Sequence, residues 1–192
     1  MTKKLITLLV AAAFTGTVSA SDLSYDNFTI GYNQVDLDGA SFDLDGFNLG
    51  ASFSLSPEWY VKLDTLMSSG DEAGVDVDFD LTTVNFGYHM PMSNGVDFIA
   101  ELGYVGADAE VSSQFGSDSN DDSGANLVLG FRGLATDNFE WGLNVQYADL
   151  DESSTFINLE GRYYFTDSFS LGVRGSFESD INIYGINARF DF

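Results

Sequence analysis

Apolar and small polar residues alternate along most of the chain with a period of two, the signature of strands with one face of each kind. The final stretch, residues 181–192, shows it plainly. Tyr184, Ile186, Ala188, Phe190 and Phe192 fall on one face, and Gly185, Asn187, Arg189 and Asp191 on the other. The same rhythm opens at about residues 23–35, with Phe28, Ile30 and Tyr32 opposite Asn27, Thr29, Gly31 and Asn33. It continues through Phe47, Leu49, Ala51 and Phe53, through Trp59, Val61 and Leu63, and through Val84, Phe86 and Tyr88. Phe98 to Tyr104, Leu127 to Phe131, Phe139 to Tyr147, Ile157 to Phe165 and Phe169 to Val173 follow it too. Leu66, Ile99, Val105 and Val128 break the rule by falling on the polar face. The pattern predicts about ten antiparallel strands, eight being the alternative. Turns at 56–58, 91–95, 136–138 and 166–168 are short, whereas 36–45, 68–78 and 106–123 read as longer acidic loops, the last of them mobile.

Alternation alone does not say which face is outside. The polar face does, because it is Gly, Asn, Ser and Thr rather than the Lys and Glu of a hydrated exterior. Lys62, Arg132, Arg162, Arg174 and Arg189, the five cations beyond residue 20, share that face with Asp64, Glu101, Glu140, Glu160 and Asp191. The opposite face carries no charge, as lipid contact demands where a midplane Lys or Arg costs about 2–4 kcal/mol. A closed barrel is the only spanning structure besides a helix that satisfies every backbone group in lipid. No segment after the first 20 residues is apolar enough for a spanning helix. The expected fold is all-β, an antiparallel up-and-down transmembrane β-barrel over residues 21–192. Short turns belong on the periplasmic side and longer connections outside, so an even strand count puts both termini in the periplasm.

The first 20 residues fit a cleaved signal peptide: Lys3 and Lys4, an apolar run from Leu5 to Phe14, and small residues at Val18-Ser19-Ala20. The net charge of -23 makes nucleic acid an unsuitable partner, and the absence of cysteine excludes disulfides and thiolate metal sites. By position, 18 of the 30 acids fall in the five outer connections, 36–45, 68–78, 106–123, 149–153 and 178–180.

The architecture and the ending Arg189-Phe190-Asp191-Phe192 resemble the small OmpA/OmpX-like outer-membrane barrels. Asp22-Leu23-Ser24-Tyr25 and Asp45-Gly46-Phe47-Asn48-Leu49 are similar to the activator-of-immunity family of small outer-membrane proteins. The resemblance implies a cell outer-membrane location, contact with lipid and lipopolysaccharide, and delivery by the barrel-assembly machinery. Tyr184, Phe190 and Phe192 would then form the assembly signal.

Candidate chemistry is sparse. His89, the only histidine, sits at a short turn, far from the outer rim where an enzyme of this class would need a base. Asp36, Asp38, Asp43 and Asp45 are candidate divalent-cation ligands, though their spacing is not that of an EF-hand loop. The inward charges Lys62, Asp64, Glu101, Arg132, Glu160, Arg162, Arg174 and Arg189 would fill or line the lumen. About eight strands leave room only for side chains, and open channels need roughly sixteen. Equal distances from their turns predict that Glu101 and Arg132 pair. The sequence thus points to a non-enzymatic barrel without cofactors, its acidic outer loops serving surface interaction or envelope integrity through an extracellular ligand or divalent cations. A narrow porin-like channel for ions or small solutes is the alternative.

Overall fold

The computed structural model describes residues 23–39, 42–72, 74–92 and 95–192, and the expected signal peptide lies outside them. Ten strands follow in chain order: β1 (Asn27–Leu37), β2 (Leu44–Ser54), β3 (Trp59–Glu72), β4 (Val75–Pro91) and β5 (Val96–Ser113), then β6 (Gly116–Thr136), β7 (Phe139–Asp149), β8 (Ser154–Thr166), β9 (Phe169–Phe177) and β10 (Ile181–Asp191). Each pairs antiparallel with the next, and β1 closes on β10 to complete an up-and-down barrel. The closing seam runs the whole of β1, from Asn27 opposite Asp191 to Leu37 opposite Ile181. Every strand of the barrel is therefore paired on both sides, as lipid demands, and only projecting ends such as residues 116–124 of β6 lack a second neighbour.

The alternation puts large apolar groups outside. Phe28, Ile30, Phe47, Leu49, Phe86, Leu102, Val173 and Ile186 are all exposed. A soluble monomer rarely shows an apolar surface so extensive, whereas a bilayer solvates it. Aromatic contacts mark both borders of this belt. Phe28, Phe53 and Phe192 meet at the short-turn end with ring centroids 5.2 to 5.8 Å apart. Tyr32 packs on Phe47 and Phe177 on Tyr184 at the other.

Small residues let the inner wall close. Asn48 lies directly opposite Gly31, and its side chain crosses over it. A Cβ at Gly31 would overlap Asn48 Oδ1 and stand 2.8 Å from the Ile186 carbonyl oxygen. Asn85 covers Gly103 in the same way.

Three expectations need correction. The first strand begins at Asn27 and not near residue 23, because residues 23–26 leave the ladder and turn into the lumen. The acidic stretches 68–78 and 106–123 are not loops. They are the ends of β3–β4 and β5–β6, paired out to Glu72 opposite Val75 and Ser113 opposite Gly116. Gly74 (φ 83°) and Gly116 (φ 147°) permit the tight turns there, where a side chain would be strained. Strands of 17, 18 and 21 residues exceed the 9–11 that cross a bilayer, so these hairpins project well past the membrane.

Substituting Gly31 with Ala should therefore destabilise the barrel by about 1–3 kcal/mol, the usual cost of overpacking. Gly106→Ala should be near neutral, since its Cβ meets nothing nearer than the Tyr104 ring at 3.4 Å. Heat-modified mobility of the two refolded variants checks the contrast.

Candidate functional site

The lumen is built in three storeys. Nearest the short turns, Glu140 on β7 is the hub. Arg132 on β6 grips it with two bonds, Nε to Oε1 at 2.7 Å and Nη2 to Oε2 at 3.0 Å. Arg189 reaches it from β10, three strands away, with Nη1 3.4 Å from Oε1. Tyr164 donates its hydroxyl to Glu140 Oε2 at 2.7 Å. Arg189 also donates to Asp191 and to Tyr164, each at 2.8 Å. Planar guanidinium forks suit such carboxylate pairs, and each buried charge has an opposite partner.

The middle storey is more loosely paired. Glu101 on β5 accepts from the Tyr60 hydroxyl at 2.7 Å and Asn85 at 2.9 Å, with Lys62 Nζ at 3.7 Å. Arg162 pairs with Glu160 and donates to Asn187 at 2.8 Å and Ser170 at 3.2 Å. Arg174 donates to Asn33 at 2.8 Å and approaches Asp64 at 3.6 Å. An amide chain follows the wall from Asn85 through Asn126 and Gln146 to Asn158 and Asn144, with links of 2.7 to 3.2 Å. A cavity of about 240 Å³ remains, lined by Lys62, Asp64, Asn144, Gln146, Glu160 and Arg174 among others. That is room for several waters.

The outer storey is apolar. Val35, Leu44, Leu66 and Ile183 are buried together inside the barrel, with Leu37, Phe42, Val77, Phe79, Leu81 and Ile181 packed on them. Leu66, an exception to the polar face, is thus part of an inner core. Ile99 is another, buried with Tyr25 and Tyr60 near the opposite end. Val105 and Val128 are buried as well.

All eight charges expected in the lumen line this cavity. The pairing of Glu101 with Arg132 is not found. Arg132 stands opposite Asp97, whereas Glu101 stands opposite Val128. The offset is four residues, about 13 Å along a strand. Equal distances from their turns did not mean equal depth, because the strands of a closed barrel are staggered by its shear. The hub residue Glu140 was legible only as an inward acid. Tyr164, Tyr25 and Asp97 share inward parity with their neighbours, but period-two reading ranks no member of a face above another.

His89 lies at the short-turn end, its Nδ1 3.0 Å from Asp97 Oδ2 but too oblique for a hydrogen bond. Its ring stacks on Tyr25 at 3.9 Å. Among the described residues no three His, Asp or Glu side chains gather as a cation site. Asp36 and Asp45 point outward on β1 and β2. Asp43 accepts from Gln34 at 2.7 Å. Tyr184, Phe190 and Phe192 are exposed on the outer wall near the seam.

A closed ten-strand barrel with a charged interior and an apolar, aromatic-bordered exterior defines an outer-membrane β-barrel. The model of the outer membrane protein beta-barrel domain family matches residues 6–177, and the chain belongs to that family. It is an outer-membrane protein. Among solved structures it is similar to Ail, the attachment invasion locus protein of Yersinia pestis, at 20% identity and TM-score 0.50, over 88% of this chain and 100% of that one. The outer membrane protease OmpT from Escherichia coli aligns at 12% identity and TM-score 0.59, over 92% and 100%. At these identities the likeness is one of fold. No curated protein matches the sequence.

Removing Glu140 leaves Arg132 without its carboxylate. Glu140→Ala should cost about 3–5 kcal/mol, less where water enters, and adding Arg132→Ala should restore part of it. Arg132→Ala and Glu101→Ala should instead add without coupling. A double-mutant cycle on denaturant unfolding in detergent reads both.

Proposed function

We propose that this protein is a non-enzymatic outer-membrane barrel with a closed lumen, whose projecting acidic hairpins serve surface interaction or envelope integrity. The observation that carries the reading is the transluminal network centred on Glu140, in which arginines from two walls hold one carboxylate. A lumen tied across its width favours a rigid stalk over a conduit. The apolar storey above it supports the same reading, since dewetted constrictions oppose ion passage. Proteolysis or lipid hydrolysis is disfavoured because the sole histidine lies at the end opposite the outer rim.

The outer surface sets the kind of interaction. Asp80 stands opposite Asp108, which stands opposite Asp121, and Asp78 stands opposite Glu110. Like charges in register repel, so this surface suits divalent cations that bridge to lipopolysaccharide phosphates, or a cationic ligand. Assembly would run through the barrel-assembly machinery, with Tyr184, Phe190 and Phe192 presented on β10 and after it. The chamber of about 240 Å³ is what favours the second reading, a narrow channel for small solutes.

Reconstituted in planar bilayers, the mature protein should hold a closed baseline. Steady ion conductance would replace the first reading with the channel. On intact cells an impermeant thiol reagent should label Ser117→Cys and spare Ser168→Cys, and the reverse pattern would invert the topology. Phe192→Ser should lower the yield of heat-modifiable barrel, and an unchanged yield removes the terminal aromatic from the assembly signal.

A further inference from the structure

The non-strand segment 23–26 enters the short-turn mouth of the lumen instead of continuing β1. Tyr25 is 6% exposed. Its ring lies against His89 at 3.9 Å, Tyr60 at 4.7 Å and the Arg132 guanidinium at 4.9 Å. Its hydroxyl donates to Asp97 Oδ2 at 2.8 Å. The Ser24 carbonyl accepts from Arg132 Nη1 at 2.8 Å and Arg189 Nη2 at 3.4 Å, and Leu23 packs on the Tyr25, Tyr60 and Ile99 cluster. Asp26 fixes the base of the segment. Its carbonyl accepts from the Phe192 amide at 3.1 Å, and its carboxylate from the Ser54 amide at 2.6 Å.

Two features set this segment apart from the wall. Beyond Asp26 it is held by side chains and not by a strand ladder, so residues 23–25 can leave without breaking the barrel. Its departure also leaves both arginines paired. Arg132 keeps Glu140, and Arg189 keeps Asp191 and Tyr164. Tyr25 itself lines the chamber above. We propose that residues 23–26 are a strap that closes the periplasmic mouth of the lumen, hinged at Asp26, and that its release admits small polar solutes to the chamber from the periplasm. The inference rests on the closed-lumen reading and adds the side from which the lumen opens.

The chain has no cysteine, so a single reporter is unambiguous. Ser176→Cys places one on the chamber wall, and Asp137→Cys places a freely accessible control in the β6–β7 turn. Both are labelled in nanodiscs with a small charged thiol reagent. The parent should label slowly at Ser176→Cys, and Tyr25→Ala should raise the rate about tenfold or more, because modification of a transiently opened site tracks the open population. Tyr25→Phe keeps the ring and loses the bond to Asp97, so it should give a smaller rise. Heat-modifiability on the same samples reports folding, and if Tyr25→Ala does not fold, Tyr25→Phe decides alone. A slow parent with equally slow variants overturns the strap. A parent as fast as the turn control overturns the closed lumen beneath it.

Discussion

Within a bilayer no water reaches the backbone, so every N–H and C=O of a spanning strand needs a partner in the chain. The β1–β10 seam meets that demand. It pairs all eleven residues of β1, from Asn27 to Leu37, with the last strand of the chain, and so leaves neither β1 nor β10 as an edge strand. The rest of the structure follows from closure. Lipid takes the outward face, and ten strands leave an interior too narrow to be left to chance.

Closure brings strands distant in sequence across a short gap, and their inward side chains then settle the character of the lumen. Arg189 and Glu140 are 49 residues apart and meet across it. Buried charges are costly unless paired, and here the pairing is dense at the periplasmic end and looser around Lys62 and Arg174. The gradient runs from a hydrogen-bonded base through a polar cavity to an apolar top made by Val35, Leu44, Leu66 and Ile183. An inner core at the outer end stiffens the rim from which the long hairpins rise.

Those hairpins carry the acidity outside while the cations stay inside. The segregation is physical: inward positions need counter-charges for Glu140, Glu101 and Asp191, whereas the projecting strands face water and can repel without unfolding. A polyanionic outer surface on a stiff, internally braced stalk is consistent with contact at the cell surface, and the strap at residues 23–26 locates the least permanent closure at the other end.

The sequence by itself determined the barrel, the lipid face and the inward set of charges, because a period of two writes those onto the chain residue by residue. Gly31, Asn48 and Arg189 could each be assigned a face without any knowledge of neighbours. It did not determine depth. Arg132 and Glu101 looked level when counted from their turns, yet stagger puts Arg132 beside Asp97 and gives it Glu140. Nor did it show that 106–123 is a continued hairpin, because polar strands beyond the membrane lose the apolar half of their alternation. The departure of Leu23–Tyr25 from the ladder was equally hidden. Its residues alternate like a strand, and only the arginine donors, the aromatic rings and the Asp97 carboxylate assembled from five other strands draw it into the lumen.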